Sequence, residues 1–341
     1  MTPFQRQRIL YQGSFFILFL FAPVFDLLRF DLIQGHLIVF SQPWTLGLDD
    51  YLAGRIDNTQ MALNILSRVI APILLLAVVF LGVAWRWGRL YCGWLCPHFS
   101  VVETINQFVR KASGKQSLWD PKPGPLYHPD GTPALTDRRY WLLAIPFALA
   151  FAFLWAVALL TYLLPPAEVY GNLFSGTLTR NQGLFISVAT AVLFLEFTFA
   201  RHLFCRYACA VGMFQSLAWM SNRQAMVVGY PRERAHDCAR CPSFCDHVCP
   251  MRLKPRNIKR LMFACTQCGQ CIDACQTVQR SNPNGGLLHW IADQQALQAD
   301  GSQGLLASEP VTDRPKVRSE PRVSLAAEAD DPALKPAEQL R

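Results

Sequence analysis

The twelve cysteines of this chain fall into four tight groups, and the last two read Cys238-x2-Cys241-x3-Cys245-x3-Cys249-Pro250 and Cys265-x2-Cys268-x2-Cys271-x3-Cys275. Three thiolates two or three residues apart wrap one corner of an iron-sulfur cube, while the fourth cysteine of each run reaches across to the other cube. Applied here, Cys238, Cys241, Cys245 and Cys275 hold one 4Fe-4S cluster, and Cys265, Cys268, Cys271 and Cys249 hold the second. The crossing ties both runs into one pseudo-symmetric unit. Two details depart from the usual pattern: the first run has one extra residue between Cys241 and Cys245, and Gln276 stands where a proline often follows the last cysteine. Zinc is the rival, because paired C-x2-C knuckles also build structural sites. A third cysteine close behind each pair, and a fourth three residues later, fits cubes better than a single ion.

These cysteines sit on a chain that is 52% hydrophobic and 16% charged over 341 residues, too apolar for an ordinary soluble protein. Four apolar stretches approach the ~20 helical residues needed to cross a hydrocarbon core: Ile9 to Leu28, Leu63 to Trp85, Tyr140 to Leu164 and Gly183 to Ala200. Arg6 and Arg8 precede the first, and the loop after the second carries Arg86, Arg89, Arg110, Lys111, Lys115, Lys122, Arg138 and Arg139. The opposite loops offer only Arg29, Arg55 and Arg180. Lys and Arg are held back on the cytoplasmic side, so both termini are expected inside. Clusters and free thiolates survive where the compartment is reducing, which places the cysteines on the same side by an independent route. The first run is long and no small-x-small site follows it, so a cleaved signal peptide is not expected. The net charge of +8 is spread through loops, which suits anionic lipid heads and argues against nucleic acid as a partner.

An internal repeat organises the membrane part. Arg89-Leu90-Tyr91-Cys92-Gly93-Trp94-Leu95-Cys96 and His202-Leu203-Phe204-Cys205-Arg206-Tyr207-Ala208-Cys209 match in character, each following an even-numbered apolar run. Two helical hairpins are therefore expected, each delivering a cysteine pair to one surface. A C-x3-C spacing on a helix puts both sulfurs on one face, and Cys92, Cys96, Cys205 and Cys209 could converge. Soft thiolates in that arrangement suit Cu(I), zinc or a further cluster. Redox disulfides and buried structural thiols remain the alternatives. Among ionisable residues, Glu196 is a candidate proton acceptor or partner of Arg201, and Asp26 could pair with Arg68. No run contains histidine, so bis-histidine haem lacks ligands in the membrane. Lys254, Arg256, Lys259 and Arg260, between the cluster runs, could dock an acidic redox partner or the lipid surface, or form a simply solvated basic face.

The phrase Tyr91-Cys-Gly-Trp-Leu-Cys-Pro-His-Phe-Ser-Val-Val-Glu103, the second pair with Met213-Phe-Gln-Ser216, the cluster runs and Gly285-Gly-Leu-Leu-His-Trp290 resemble the FixG/CcoG-type membrane polyferredoxins. These are accessory proteins of cbb-type cytochrome oxidase assembly, and the related NapH-type quinol-linked ferredoxins share the four-span plan. The resemblance covers roughly residues 10 to 291. It implies two cytoplasmic 4Fe-4S clusters and membrane cysteine pairs that handle copper, with Cu(II) reduced to Cu(I) for the oxidase. Cys92, Cys96 and Pro97 match the C-x3-C-P motif, while Ala210 replaces the proline of the second copy. Against that family the chain is expected to be shortened at the C-terminus, lacking a further span and an immunoglobulin-like domain.

The expected protein is thus membrane α-helical, with four transmembrane helices in two hairpin repeats, plus a small α+β two-cluster bacterial ferredoxin-like domain. Residues 1–202 form the transmembrane region with a cytoplasmic loop at 86–139, and 203–224 the membrane-proximal cysteine segment. Residues 225–292 form the cluster domain, bracketed by strands at Met226 to Val228 and Leu287 to Ile291. Residues 293–341, rich in Ala, Glu, Gln, Pro and Ser, read as a disordered tail. The expected function is single-electron transfer through two 4Fe-4S clusters in a bacterial inner membrane, supporting respiratory oxidase assembly by reducing copper; the alternatives are NapH-like quinol-linked electron transfer and a copper-binding assembly factor whose clusters serve structure. Expected partners are the lipid bilayer, a redox protein or quinol, copper-handling proteins and a cytochrome oxidase.

Overall fold

Among the described residues three helices are long and apolar enough to cross a membrane: Asn58–Trp87, Tyr140–Thr161 and Arg180–Ala200. The computed structural model describes residues 2–120, 123–239 and 241–304; Lys122 and the tail from 305 lie outside them. Helix Tyr140–Thr161 is the hub. Its Ala144, Ala148, Ala152 and Ala156 recur every fourth residue on one buried face, and side chains this small let neighbouring helices approach closely. Val101, Val102, Ile105 and Val109 of helix Pro97–Ser113 and Phe197 of the third span fill the core around Ala148 and Ala152.

The first apolar run behaves differently from the expected span. Its helix covers Pro3–Phe21, and residue 28 already opens a strand. Pro23 has no N–H for the Phe19 carbonyl four residues back, and its ring crowds that carbonyl, so the helix stops. The freed carbonyl accepts a hydrogen bond from the Tyr162 hydroxyl at 2.8 Å. The second run repeats the device without stopping. Pro72 cannot serve the Arg68 carbonyl, which accepts instead from Trp44 Nε1 at 2.9 Å, and the helix widens into a π turn over Leu66–Ile70.

Residues between the first two helices form a three-stranded antiparallel sheet, Leu28–Asp31, His36–Val39 and Gln42–Trp44, where only loop was expected. The Phe30 and Leu32 N–H groups donate to the carbonyls of Tyr162 and Leu163, which docks the sheet on the end of the hub helix. Arg29 pairs with Asp26 and with fully buried Asp31. Asp26 therefore does not reach Arg68, whose guanidinium donates to the Thr45 carbonyl.

Past the membrane part, Val227–Gly229 pairs antiparallel with His289–Ile291, bringing together the two ends of the segment that carries both cysteine runs. Helices Phe244–Val248 and Gln270–Val278, one from each run, pack against each other inside that frame. The region expected to be tail from residue 293 begins instead with helix Asp293–Gly304. Its Ala296 is buried in the core beneath the strands, and Asp293 pairs with Arg86.

Candidate metal centres

The eight cysteines of the two runs line two separate recesses. Cys238, Cys241, Cys245 and Cys275 line one of about 400 Å³, otherwise walled mainly by Tyr230, Phe244, Leu287 and Leu288. Cys249, Cys265, Cys268 and Cys271 line another of about 320 Å³, with Val228, Met251, Met262 and Trp290. Each recess thus takes three cysteines from one run and the fourth from the other. The first lies nearer the surface, with Cys238, Cys241 and Cys275 partly exposed, whereas Cys249, Cys268 and Cys271 are buried.

Backbone N–H groups aim at the sulfurs. Leu253 donates to Cys249 Sγ at 3.4 Å and Leu287 to Cys275 Sγ at 3.3 Å, and the Tyr230 hydroxyl reaches Cys238 Sγ at 3.9 Å. Hydrogen bonds of this kind hold cluster thiolates and tune their potential. Burial, and then the neighbouring Cys268, pushes the Cys249 thiol up to about 12. Burial likewise raises Cys245 and Cys271. Thiols so desolvated ionise only if a cation compensates, which is the chemistry a bound iron-sulfur core supplies. Apolar walls, four sulfurs and donors to them fit a cube in each recess.

The membrane-proximal thiols also come together. Burial, then Cys92, pushes Cys96 up to about 12, with Cys209 contributing further; Cys205 is raised by burial and then by Cys96. All four therefore lie within one electrostatic neighbourhood. They do not share a helix face as expected. Cys92 and Cys205 sit in the short helical turns Leu90–Trp94 and Phe204–Ala208. Cys96 and Cys209 are the extended residues that enter helices Pro97–Ser113 and Ala210–Ser221, with ψ of 115° and 107°. A thiol at a helix N-terminus meets unpaired N–H groups, here those of His98 and Phe99 for Cys96. The Cys92 thiol donates to Gln215 Oε1 at 3.1 Å.

Shared cores connect the three centres. Cys245 and Cys271 are buried in one apolar cluster. Cys249 and Cys205 are buried in the next, with Cys96 and Cys265 packed against it.

A polar clamp holds this stack together, and sequence reasoning passed over it. Arg8, 1% exposed, forms a two-armed pair with Glu103, and its Nη1 also donates to the Gly93 carbonyl at 3.2 Å. Gln12 donates to the same carbonyl at 3.1 Å, Gln5 to the Cys268 carbonyl at 3.1 Å, and Gln270 to Glu103. The Trp94 indole donates to the Gln267 carbonyl at 3.1 Å. Gly93 lies so close to the Thr266 carbonyl that a Cβ would overlap it. One signal was available: Gln5, Arg8 and Gln12 recur at intervals of three and four, which places three polar residues on one helix face.

Other sequence candidates are relocated. Glu196 Oε1 faces His98 Nε2 at 3.3 Å and not the Arg201 guanidinium, all three of whose nitrogens lack a hydrogen-bond partner. Of the basic residues between the runs, Arg256 pairs with Asp246 at 2.8 Å, and Lys259 is buried, donating to the Trp219 carbonyl at 3.0 Å. Of the four, Lys254 and Arg260 are exposed and Arg256 is partly so.

Residues 69–116 and 181–224, the two copies of the repeat, match a family described as a 4Fe-4S binding domain. Two stretches of the chain are thus similar to that domain, and among the described residues three helices are fit to cross a membrane. It is 27% identical over 211 residues to YccM of Escherichia coli K12, a protein provisionally named for electron transport, spanning 62% of this chain and 55% of that one. It is 24% identical over 277 residues to the uncharacterised MJ0750 of Methanocaldococcus jannaschii, covering 81% of this chain and 94% of that protein. Protein RdxA of Cereibacter sphaeroides is 27% identical over 219 residues, 60% of this chain and 44% of RdxA. The chain therefore spans about half the length of YccM and RdxA. No solved structure matches it.

Proposed function

We propose that this chain is a membrane-anchored iron-sulfur electron carrier, with Cys238, Cys241, Cys245 and Cys275 holding one 4Fe-4S cluster and Cys249, Cys265, Cys268 and Cys271 the other. The observation that carries the reading is that each crossed quartet lines its own recess. Bound there, each cube supplies the uptake and release of a single electron. The protein's part is to hold the thiolates, exclude water with apolar walls, and fix the buried recess against the membrane-proximal thiols through the Arg8–Glu103 clamp. The more exposed recess then faces the soluble redox partner. Cys92, Cys96, Cys205 and Cys209 form the far terminus at the membrane surface. The loops rich in Lys and Arg and the reducing demand of the thiols support a bacterial inner-membrane protein with both termini cytoplasmic.

The resemblance to FixG/CcoG-type polyferredoxins supports a finer reading. The four thiols receive Cu(II) as substrate, one electron reduces it to Cu(I), and soft thiolates favour the reduced ion. A role in oxidase assembly follows from that reading. A NapH-like, quinol-linked reading would use a separate feature, an open recess lined largely by polar residues between the N-terminal helix, helix Pro97–Ser113 and helix Gln270–Val278.

Anaerobic purification with metal analysis and low-temperature EPR of the reduced protein tests the core of the proposal. About eight iron atoms in two cubes per chain are expected. Colourless, iron-free protein holding stoichiometric zinc contradicts it. Copper titration then separates the finer readings: electron consumption lost on changing the four membrane-proximal cysteines supports cupric reduction, and quinol-dependent cluster reduction supports the alternative.

A further inference from the structure

Buried Arg8 and Arg89 and half-buried Arg256 lie beside the thiols, and among the described residues only Arg89 lacks a carboxylate. Arg8, near Cys268, is balanced by Glu103, and Arg256, near Cys238 and Cys245, by Asp246. Arg89 is 2% exposed and lies near Cys92, Cys205 and Cys265, yet among the described residues no Asp or Glu pairs with it. Its Nη2 donates to the Cys205 carbonyl at 2.8 Å and approaches Cys92 Sγ at 3.7 Å, so it bridges the two copies of the repeat, and its Nε has no partner. Space is cut for it: a Cβ on Gly212 would overlap the guanidinium. Taking an unbalanced cation out of water costs several kcal/mol. Thiolates on a metal bound at the adjoining cysteines would supply the compensating charge.

We propose that Arg89 is the counter-cation of a thiolate-bound metal centre at Cys92, Cys96, Cys205 and Cys209, and that it holds the reduction potential of that centre up. The inference rests on reading those four thiols as a metal site. Reduction adds negative charge to the centre, and a fixed cation a few ångströms away in a dry site favours the more negative state. The shared chemistry is a soft metal on thiolates, either copper or an additional iron-sulfur group, and metal analysis tells the two apart. Arg89 is a positioning residue here, acting on the centre through its charge.

The test uses full-length protein in detergent under anaerobic conditions, with Arg89→Met and Arg89→Lys. Metal content per chain is measured as purified and after loading with Cu(I), and potentials come from a redox titration followed by EPR and visible absorption. The methionine variant is expected to change the oxidised-to-reduced ratio of the membrane-proximal couple at least tenfold at fixed ambient potential, about 59 mV for one electron. The shift is toward lower potential, the two ferredoxin-type couples stay in place, and lysine restores most of the difference. A wild-type couple in the methionine variant overturns the inference and leaves the metal-site reading standing. No metal at the four thiols of the wild-type protein overturns both. Should Arg89→Met fail to fold, Gly212→Ala displaces the guanidinium without removing it; a potential shift in the same direction is expected, and its absence overturns the proposal.

Discussion

The two copies of the repeat share a backbone and differ in the charges hung on it. Each spanning helix ends in a residue at positive φ, Gly88 at 73° in the first copy and Arg201 at 38° in the second. Glycine takes that conformation freely, whereas arginine is strained there. Each copy then buries its first cysteine in a short turn and uses its second to enter the next helix. The residue after the positive-φ position is Arg89 in one copy and His202 in the other. Arg89 turns inward to the thiols, while His202 lines a polar recess beside Cys249 and Arg252. Further on, Glu103 grips Arg8, and its counterpart Ser216 donates to the Phe263 carbonyl at 2.7 Å. Duplication thus supplied a symmetric thiol frame, and divergence assigned the charge to one side.

That asymmetry can be broken deliberately. Glu103→Gln removes the carboxylate and leaves Arg8 buried and unpaired, so unfolding in detergent should show a loss of about 3–5 kcal/mol. Ser216→Ala, the matching change in the second copy, removes one neutral hydrogen bond and should cost about 1 kcal/mol. Equal losses at the two positions would contradict the division of labour.

The second copy gives the pH-dependent counterpart. Burial, with Arg252, Arg201 and Arg206 nearby, pushes His202 from 6.5 down to about 4. Between those values the unfolded chain binds a proton that the folded chain refuses, so stability should rise with pH across this window and level off above it. The slope from one such group is at most about 1.4 kcal/mol per pH unit. His202→Gln should flatten that part of the stability profile relative to the wild-type protein, and an unchanged profile would remove His202 from the buried, uncharged role.

Local sequence carried the thiol spacing and the repeat because both are written in short runs, and the recesses follow the same spacing. What it did not carry depends on contacts between distant residues. Arg8 and Glu103 are 95 positions apart, so neither announces the other. The first apolar run was long enough by count, but Pro23 ends its helix at Phe21, and Tyr162, far along the chain, takes the carbonyl set free. By spacing alone a C-x3-C pair puts both sulfurs on one helical face. The chain instead breaks at the second cysteine, where Pro97 is favoured at the first position of a new helix and the residue before a proline is pushed to extended backbone. Ala210 reaches the same geometry without a proline, so the break belongs to the repeat frame.

The crossing of the two cysteine runs is tested most directly by EPR of the anaerobically reduced single variants Cys245→Ser, Cys275→Ser, Cys249→Ser and Cys268→Ser, each with iron quantified. Cys275→Ser should perturb the same cluster signal as Cys245→Ser, although the two residues come from different runs, and Cys249→Ser should perturb the signal touched by Cys268→Ser. Signals that sort by run, with Cys249 grouping with Cys245 and Cys275 with Cys268, would contradict the account.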